Sequence, residues 1–274
     1  MNYRHAYHAG NFADVFKHAL LARILLYLMR KETPLRFIDT HAGIGLYDLA
    51  AGEAARTGEW RAGVARLAGL AAHPLLADWL AAVGRLSDEG RPVLYPGSPA
   101  LAQSLLHPQD RLVLCEKHPA DAELLAQNMG RDRRVRIMPG DGYAALNALT
   151  PPPERRGLVR VDPPFESLDE FASMERALRR AHAKWPQGVY ALWYPVKGPA
   201  APAFCASLAV SGIKRILRLE IDVAAPQGLS ACGLAIVNPP FALEGEAREL
   251  LPLLAQRLAQ GAGGGWRAEW LAGE

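Results

Sequence analysis

Cysteine is scarce in this 274-residue chain: Cys115, Cys205 and Cys232 stand far apart, with no CxxC pair. A disulfide framework and a cysteine-based zinc site are therefore excluded as organising principles, and a cytoplasmic location is expected. No apolar run reaches the roughly 18–20 residues that a bilayer-spanning helix needs, so no membrane partner is expected. The opening segment MNYRHAYHAGNFADVFKH is polar, without the apolar stretch of a secretory signal. Charge of one sign hardly dominates, since 31 Lys+Arg face 28 Asp+Glu for a formal +3. That balance permits nucleic acid as a partner without demanding it. Internal repeats and low-complexity segments are absent too.

What remains is ordinary globular material, 50% hydrophobic and 22% charged. Residues 14–28 carry apolar side chains at helical spacing and predict one buried helix ending before Thr33-Pro34. Leu35–Thr40 reads as a short strand running into His41-Ala42-Gly43-Ile44-Gly45, a strand and glycine turn that open a nucleotide-binding βα unit. Residues 47–95 then break the rhythm: rich in Ala, Leu and Gly, they read as an inserted small helical subdomain. Alternation resumes with strands at 111–116, 135–139, 157–162 and 189–194, and helices at 119–129, 143–149 and 170–184. Residues 213–223 and 233–238 read as a hairpin closing the sheet edge. The expected architecture is α/β, a mostly parallel Rossmann-like sheet with a helical insertion and a C-terminal β-hairpin. It forms one domain over 1–274, made of an N-terminal cap and helix (1–33), the insertion (47–95) and the rest of the core (96–274).

The sharpest chemical signal is Asp162-Pro163-Pro164-Phe165, placed where a strand meets the ligand-binding edge of such a sheet. An exocyclic amine is a poor nucleophile because its lone pair is delocalised into the ring. The Asp162 carboxylate and the Pro163 carbonyl can accept its two hydrogens and stabilise charge developing on nitrogen. Proline offers no competing N–H, and Phe165 can stack on the base. Alone, the motif could equally be a turn in which Asp162 caps a helix.

Order adds weight. Asp39-Thr40-His41-Ala42-Gly43, Glu116, Asp141 and Asp162 end successive strands, the ladder by which a sheet grips S-adenosylmethionine. Glycines allow close approach to the methionine portion, Glu116 can accept from two ribose hydroxyls, and Asp141 from the adenine amine. A nicotinamide cofactor fits less well, because Asp48 stands where a third glycine belongs. Tyr95-Pro96-Gly97-Ser98-Pro99 returns the chain to the core and offers Ser98 as a further contact.

Other features read as secondary. Asn238-Pro239-Pro240-Phe241 repeats the amine-binding pattern but follows the edge hairpin, where a plain turn is the better reading. The N-terminal Tyr3, Arg4, His5, Tyr7 and His8 suit a polar, aromatic cap over donor and target, with Lys17 and His18 near the methionine carboxylate; a solvated arm is the alternative. A metal site at His5 and His8 lacks a further ligand at suitable spacing. The basic clusters at 131–134, 155–156, 176–180 and 214–215 read singly as solvated faces, or together as phosphate contacts.

The blocks YRHAYHAGNFADVFKH, DTHAGIG, RTGEW, YPGSP, GDGY, DPPF, YALWYP and NPPF, in this order, resemble the RlmJ family of bacterial 23S ribosomal RNA adenine-N6 methyltransferases. The resemblance implies methylation of N6 of one adenine in ribosomal RNA, on naked or early-assembly RNA, by a metal-free monomer that turns S-adenosylmethionine into S-adenosylhomocysteine. It places catalysis on Asp162 with Pro163 and Phe165, and target contact on Tyr3. Cofactor contacts fall on Lys17, His18, Asp39, His41, Gly43, Ser98, Glu116, Asp141, Gly142 and Asp162. Phe165 stands where many relatives carry tyrosine. A DNA adenine-N6 methyltransferase shares the catalytic block and is the alternative, although the apolar, weakly basic insertion is poorly suited to reading a major groove.

Overall fold

Residues 4–50, 52–85 and 94–273 are described by a computed structural model. Helix α1 (Phe12–Leu28) opens on Asn11, whose side-chain oxygen accepts the Asp14 N–H at 3.0 Å. The helix is buried on nearly all sides, which explains a sequence apolar almost all round rather than along one stripe. It packs against α3 (Ala77–Arg85), α4 (Ser98–Leu105) and α9 (Leu243–Leu258), joining the insertion to the core.

The main sheet contains β1 (Arg36–Asp39), β4 (Arg111–Glu116), β5 (Val135–Pro139), β6 (Gly157–Val161), β7 (Val189–Pro195), β8 (Ile216–Asp222), β9 (Ala231–Val237) and β10 (Gly265–Ala272). Its spatial order is β10-β8-β9-β7-β6-β1-β4-β5. Strands β5 to β7 run parallel, while β9, β8 and β10 are successively antiparallel. The chain leaves β1 towards β4 and β5, then crosses back to β6 on the other side of β1. That reversal places a crevice over the C-terminal ends of the parallel strands.

Alternate strand residues feed two cores. Phe37, Leu112, Leu114 and Leu158 pack with α1, α4, α9 and α5 (Pro119–Met129). Ile38, Val113, Val159 and Val161 pack with α6 (Gly142–Leu149), α7 (Glu170–Lys184) and α8 (Ala200–Ala209). Helices on both faces account for the near-continuous apolar strands of the parallel part. Among the described residues, no helix is long and apolar enough to cross a membrane.

Three features differ from the sequence reading. The insertion, which also holds α2 (Gly52–Thr57), leaves and rejoins the core through a two-stranded antiparallel neck, β2 (Leu46–Asp48) with β3 (Leu94–Pro96). Three-residue strands are too short to show an alternating pattern. The hairpin does not close the sheet: β9 slots in beside β7, β8 lies outside it, and the C-terminal β10 forms the edge. Helices α8 and α9, which the sequence reading did not assign, contain Pro202 in the first turn and Pro252 in the interior; burial of Leu250, Leu251, Leu254 and Leu258 overrides the proline inside α9.

Candidate active site

Parallel strands share a direction, so Asp39, Glu116 and the residues just after β5 and β6 emerge at one edge of the sheet. There Glu116, Asp141 and Asp162 border a cavity of ≈ 380 Å³, with Asp39 buried behind them. Its walls include His18, His41, Gly43, Ser98, Glu116, Asp141, Gly142 and Asp162. Residues from six separate stretches of chain thus meet in one place.

Two glycines let the walls come close. Gly43 adopts φ +61, and a Cβ there would lie 2.2 Å from the Tyr47 hydroxyl oxygen. At Gly142, the first residue of α6, a Cβ would lie 2.0 Å from the Thr40 carbonyl oxygen. Between them sits Glu116. Its Oε2 accepts the Gly43 N–H at 2.9 Å and its Oε1 the His118 N–H at 2.8 Å. Each oxygen keeps a lone pair for a further donor, the arrangement that vicinal hydroxyls require. Burial pushes the Glu116 carboxyl above its usual range. Asp141 caps α6 by accepting the Ala144 N–H at 2.9 Å and stays half exposed at the rim, with Lys117 3.5 Å away.

His18 and His41 are neutral at physiological pH. Burial pushes His18 down to about 3 and His41 down to about 4. His18 Nδ1 bonds the Tyr95 hydroxyl at 2.7 Å, and the His41 ring meets Tyr143 edge-on at 5.3 Å. Tyr143 donates to Glu170 at 2.7 Å.

Asp162 sits in a nest of charge. Although burial opposes ionisation, Arg160 and Lys17 outweigh it and hold the carboxyl well below the usual carboxylate range. Lys17 Nζ donates to Oδ2 at 2.9 Å, and Arg160 Nη2 donates to the same oxygen. Among the described residues Oδ1 has no donor, so one carboxylate oxygen remains for a ligand. Lys17 also reaches Asp14 at 3.1 Å and lies 4.8 Å from the centre of the Trp193 ring.

A second cavity, ≈ 440 Å³, adjoins the first. His5 and Pro164 belong to both walls. Phe165, Trp193, Lys17, Asn11, Gln227 and Gln260 line the second one. Phe165 has φ +53, a conformation rare for a bulky side chain, which turns the ring from the first cavity into the second. There it packs edge-on against Trp193 at 5.7 Å and Phe171 at 4.8 Å.

Residues 32–272 match the family described as ribosomal RNA large subunit methyltransferase D, RlmJ. Proteins named ribosomal RNA large subunit methyltransferase J from Haemophilus influenzae and Escherichia coli are each 36% identical to the chain, over 100% of both partners. The chain belongs to the RlmJ family. A solved protein of Legionella pneumophila superposes with TM-score 0.89 at 33% identity, covering 96% of this chain and 98% of that one. A probable spermidine synthase from Corynebacterium glutamicum shares the fold, with TM-score 0.51 at 15% identity over 93% of this chain and 74% of its own.

Within this RlmJ-family fold, most residues singled out from sequence converge on the first cavity. Two do not line it. Lys17 faces the second cavity, its ammonium committed to Asp162 and Asp14 rather than to a ligand carboxylate. Asp39 lies fully buried behind the wall. There it accepts from the Ser98 hydroxyl at 2.6 Å and the His41 N–H at 3.2 Å. Pro163 is buried in the turn, and Tyr3 falls outside the described residues. His5 and His8 do find carboxylates in space, Asp14 and Glu59, each at 3.0 Å, but in separate pairs. No cluster of three or more His, Cys, Asp or Glu suited to a metal occurs among the described residues.

None of the four basic clusters lines either cavity. Arg134 folds back on Asp132 and on carbonyls of the α4 segment, and Arg179 onto Glu175, which supports the solvated-face reading. Sequence reasoning passed over Arg160 and Tyr143 as site residues. Register supplied the missing signal for Arg160: it pairs with Asp39 across β6 and β1 and precedes Asp162 by two, so all three share a face.

Proposed function

We propose that the chain methylates N6 of an adenine in large-subunit (23S) ribosomal RNA, using S-adenosylmethionine and releasing S-adenosylhomocysteine. Family membership supports the ribosomal RNA substrate over duplex DNA, and so an enzyme working in the cytoplasm. The observation that carries the chemistry is the unengaged Oδ1 of an ionised Asp162 on the wall of the first cavity, two residues from the Pro164 that both cavities share.

The donor set fits the cofactor. Glu116 offers two partly used carboxylate oxygens for the ribose, Asp141 an acceptor for the adenine amine, and Gly43 and Gly142 the close backbone approach. His18, His41 and Ser98 complete that wall, with Asp39 bracing Ser98 from behind. When bound, S-adenosylmethionine supplies an electrophilic methyl group on its sulfonium.

The second cavity receives the extruded target base, with Phe165 stacking on its face. Asp162 Oδ1 and the Pro163 carbonyl accept the two N6 hydrogens and turn the nitrogen lone pair towards the first cavity. Held ionised by two cations, Asp162 serves as an acceptor and electrostatic partner rather than as a strong base. The proton on methylated nitrogen is acidic and leaves to solvent afterwards. Positioning does most of the work.

Labelled methyl donor offered with unmodified 23S ribosomal RNA and with duplex DNA tests this reading. Label in N6-methyladenosine of the RNA is expected. Label confined to the DNA would overturn it.

A further inference from the structure

Resting on that reading of the site, a second relation emerges from the charges behind Asp162. Strands β6 and β1 pair in parallel with Arg160 opposite Asp39, and Asp162 follows two residues on, on the same face. The Arg160 guanidinium therefore lies between two carboxylates. Its Nη1 donates to Asp39 Oδ1 and Oδ2 at 3.2 and 3.3 Å, and its Nη2 to Asp162 Oδ2. Asp39 in turn accepts from the Ser98 hydroxyl and the His41 N–H, both on the donor-facing wall. Thr40 closes the same link through the backbone, its N–H and its hydroxyl each bonding the Arg160 carbonyl at 3.1 Å.

We propose that Arg160 is a positioning residue: it ties the Asp162 carboxylate, through Asp39, to the Ser98–His41 wall, so that amine acceptor and methyl-donor site form one rigid body. A guanidinium suits the task because its planar fork can hold two carboxylates at once and cannot lose its charge. Lys17 does not duplicate it. An ammonium is a point charge on a flexible stem, and this one is shared with Asp14 on its own helix. With Oδ2 fixed by Arg160, the plane of the carboxylate is set and Oδ1 is presented in a defined direction. Removing that restraint leaves Asp162 ionised and held at Oδ2 by Lys17 alone, a point charge on a flexible stem that fixes the carboxylate's direction less tightly. Methyl transfer depends on a near-attack geometry, so the chemical step suffers while the donor site on Glu116 and Asp141 is left intact.

The test compares wild type, Arg160→Met, Arg160→Lys and Asp162→Asn on unmodified 23S ribosomal RNA. Methyl-transfer kcat, KM for S-adenosylmethionine, S-adenosylhomocysteine affinity and melting temperature are measured for each. In folded Arg160→Met, kcat is expected to fall on the order of 10- to 100-fold. KM for the donor and product affinity should change less than about threefold, the split of an interaction used in the transition state. Arg160→Lys restores charge without the bridge and should recover only part of kcat. A purely structural role would instead lower the melting temperature and leave kcat per folded molecule intact, which overturns the proposal. Where Arg160→Met does not fold, Arg160→Lys decides: wild-type kcat in that variant overturns the proposal equally. Near-normal kcat in Asp162→Asn would remove the reading beneath the proposal, whereas an inactive Asp162→Asn beside a fully active Arg160→Met overturns the Arg160 role alone.

Discussion

Two segments carry nearly the same four residues and end up at opposite ends of the sheet's strands. Asp162-Pro163-Pro164-Phe165 follows a strand parallel to β1, whereas Asn238-Pro239-Pro240-Phe241 follows β9, which runs antiparallel to β7. Val237 pairs with Tyr190 near the start of β7, so the second segment leaves the sheet at the far edge from the cavities. Both of its amide hydrogens are already engaged: Asn238 Nδ2 donates to the carbonyls of Pro186 and Gly188 at 2.7 and 2.8 Å. Phe241 is 90% exposed, whereas Phe165 packs among Phe171 and Trp193. Composition makes both segments candidates, and strand direction selects one.

The largest effect expected from breaking this asymmetry is at Asp162. Asp162→Ala should lower methyl transfer to 23S ribosomal RNA by on the order of 10²- to 10⁴-fold, while S-adenosylhomocysteine affinity by calorimetry stays near wild type. Phe165→Ala removes a stacking surface worth about 1–3 kcal/mol, so kcat/KM should fall roughly 10- to 100-fold. The same change at Phe241 should leave kcat/KM untouched.

Acid should affect the two edges differently. His18 and His41 have folded-state values of about 3 and about 4, below the roughly 6.5 of an unfolded chain. Between those limits the unfolded state binds more protons. Their stabilisation is therefore full above pH ~6.5 and is lost as pH falls, down to about 4 for His41 and about 3 for His18. Amides around α1 and the His41 turn should lose hydrogen-exchange protection from pH 7 to pH 5 before those of β8 and β9, a hairpin without histidine. Equal loss in both regions would contradict this.

The smallest effects belong to the far edge. Asn238→Ala forfeits two hydrogen bonds to backbone carbonyls and places alanine at φ +52, costing about 1–3 kcal/mol in stability with kcat per folded molecule unchanged. Phe241→Ser should fall within about 0.5 kcal/mol of wild type by denaturant unfolding.

How much of this was legible in sequence follows from the range of the forces involved. The buried helix α1, the parallel strands and their terminal acids rest on local pattern and turn chemistry, and the structure brings those acids together as that pattern implied. The reversed hairpin order, β10 at the edge and a helix persisting through Pro252 depend on long-range packing that no window of residues reports. Arg160 is the instructive case at the site. Read along the chain, it is a charged residue inside an apolar strand; only the register of β6 against β1 shows that it lies between Asp39 and Asp162. Lys17 is the converse case: read from the sequence as lying near the methionine carboxylate, in the fold it pairs with two carboxylates of the chain's own.

The central claim is that strand tips distant in sequence form one donor site facing a target site across Asp162. A crystal structure with S-adenosylhomocysteine bound tests it most directly. The ribose hydroxyls should rest on Glu116, and the sulfur should face the Asp162–Pro164 segment. Product found in the second cavity, or beside Asn238 at the opposite edge, would contradict the claim.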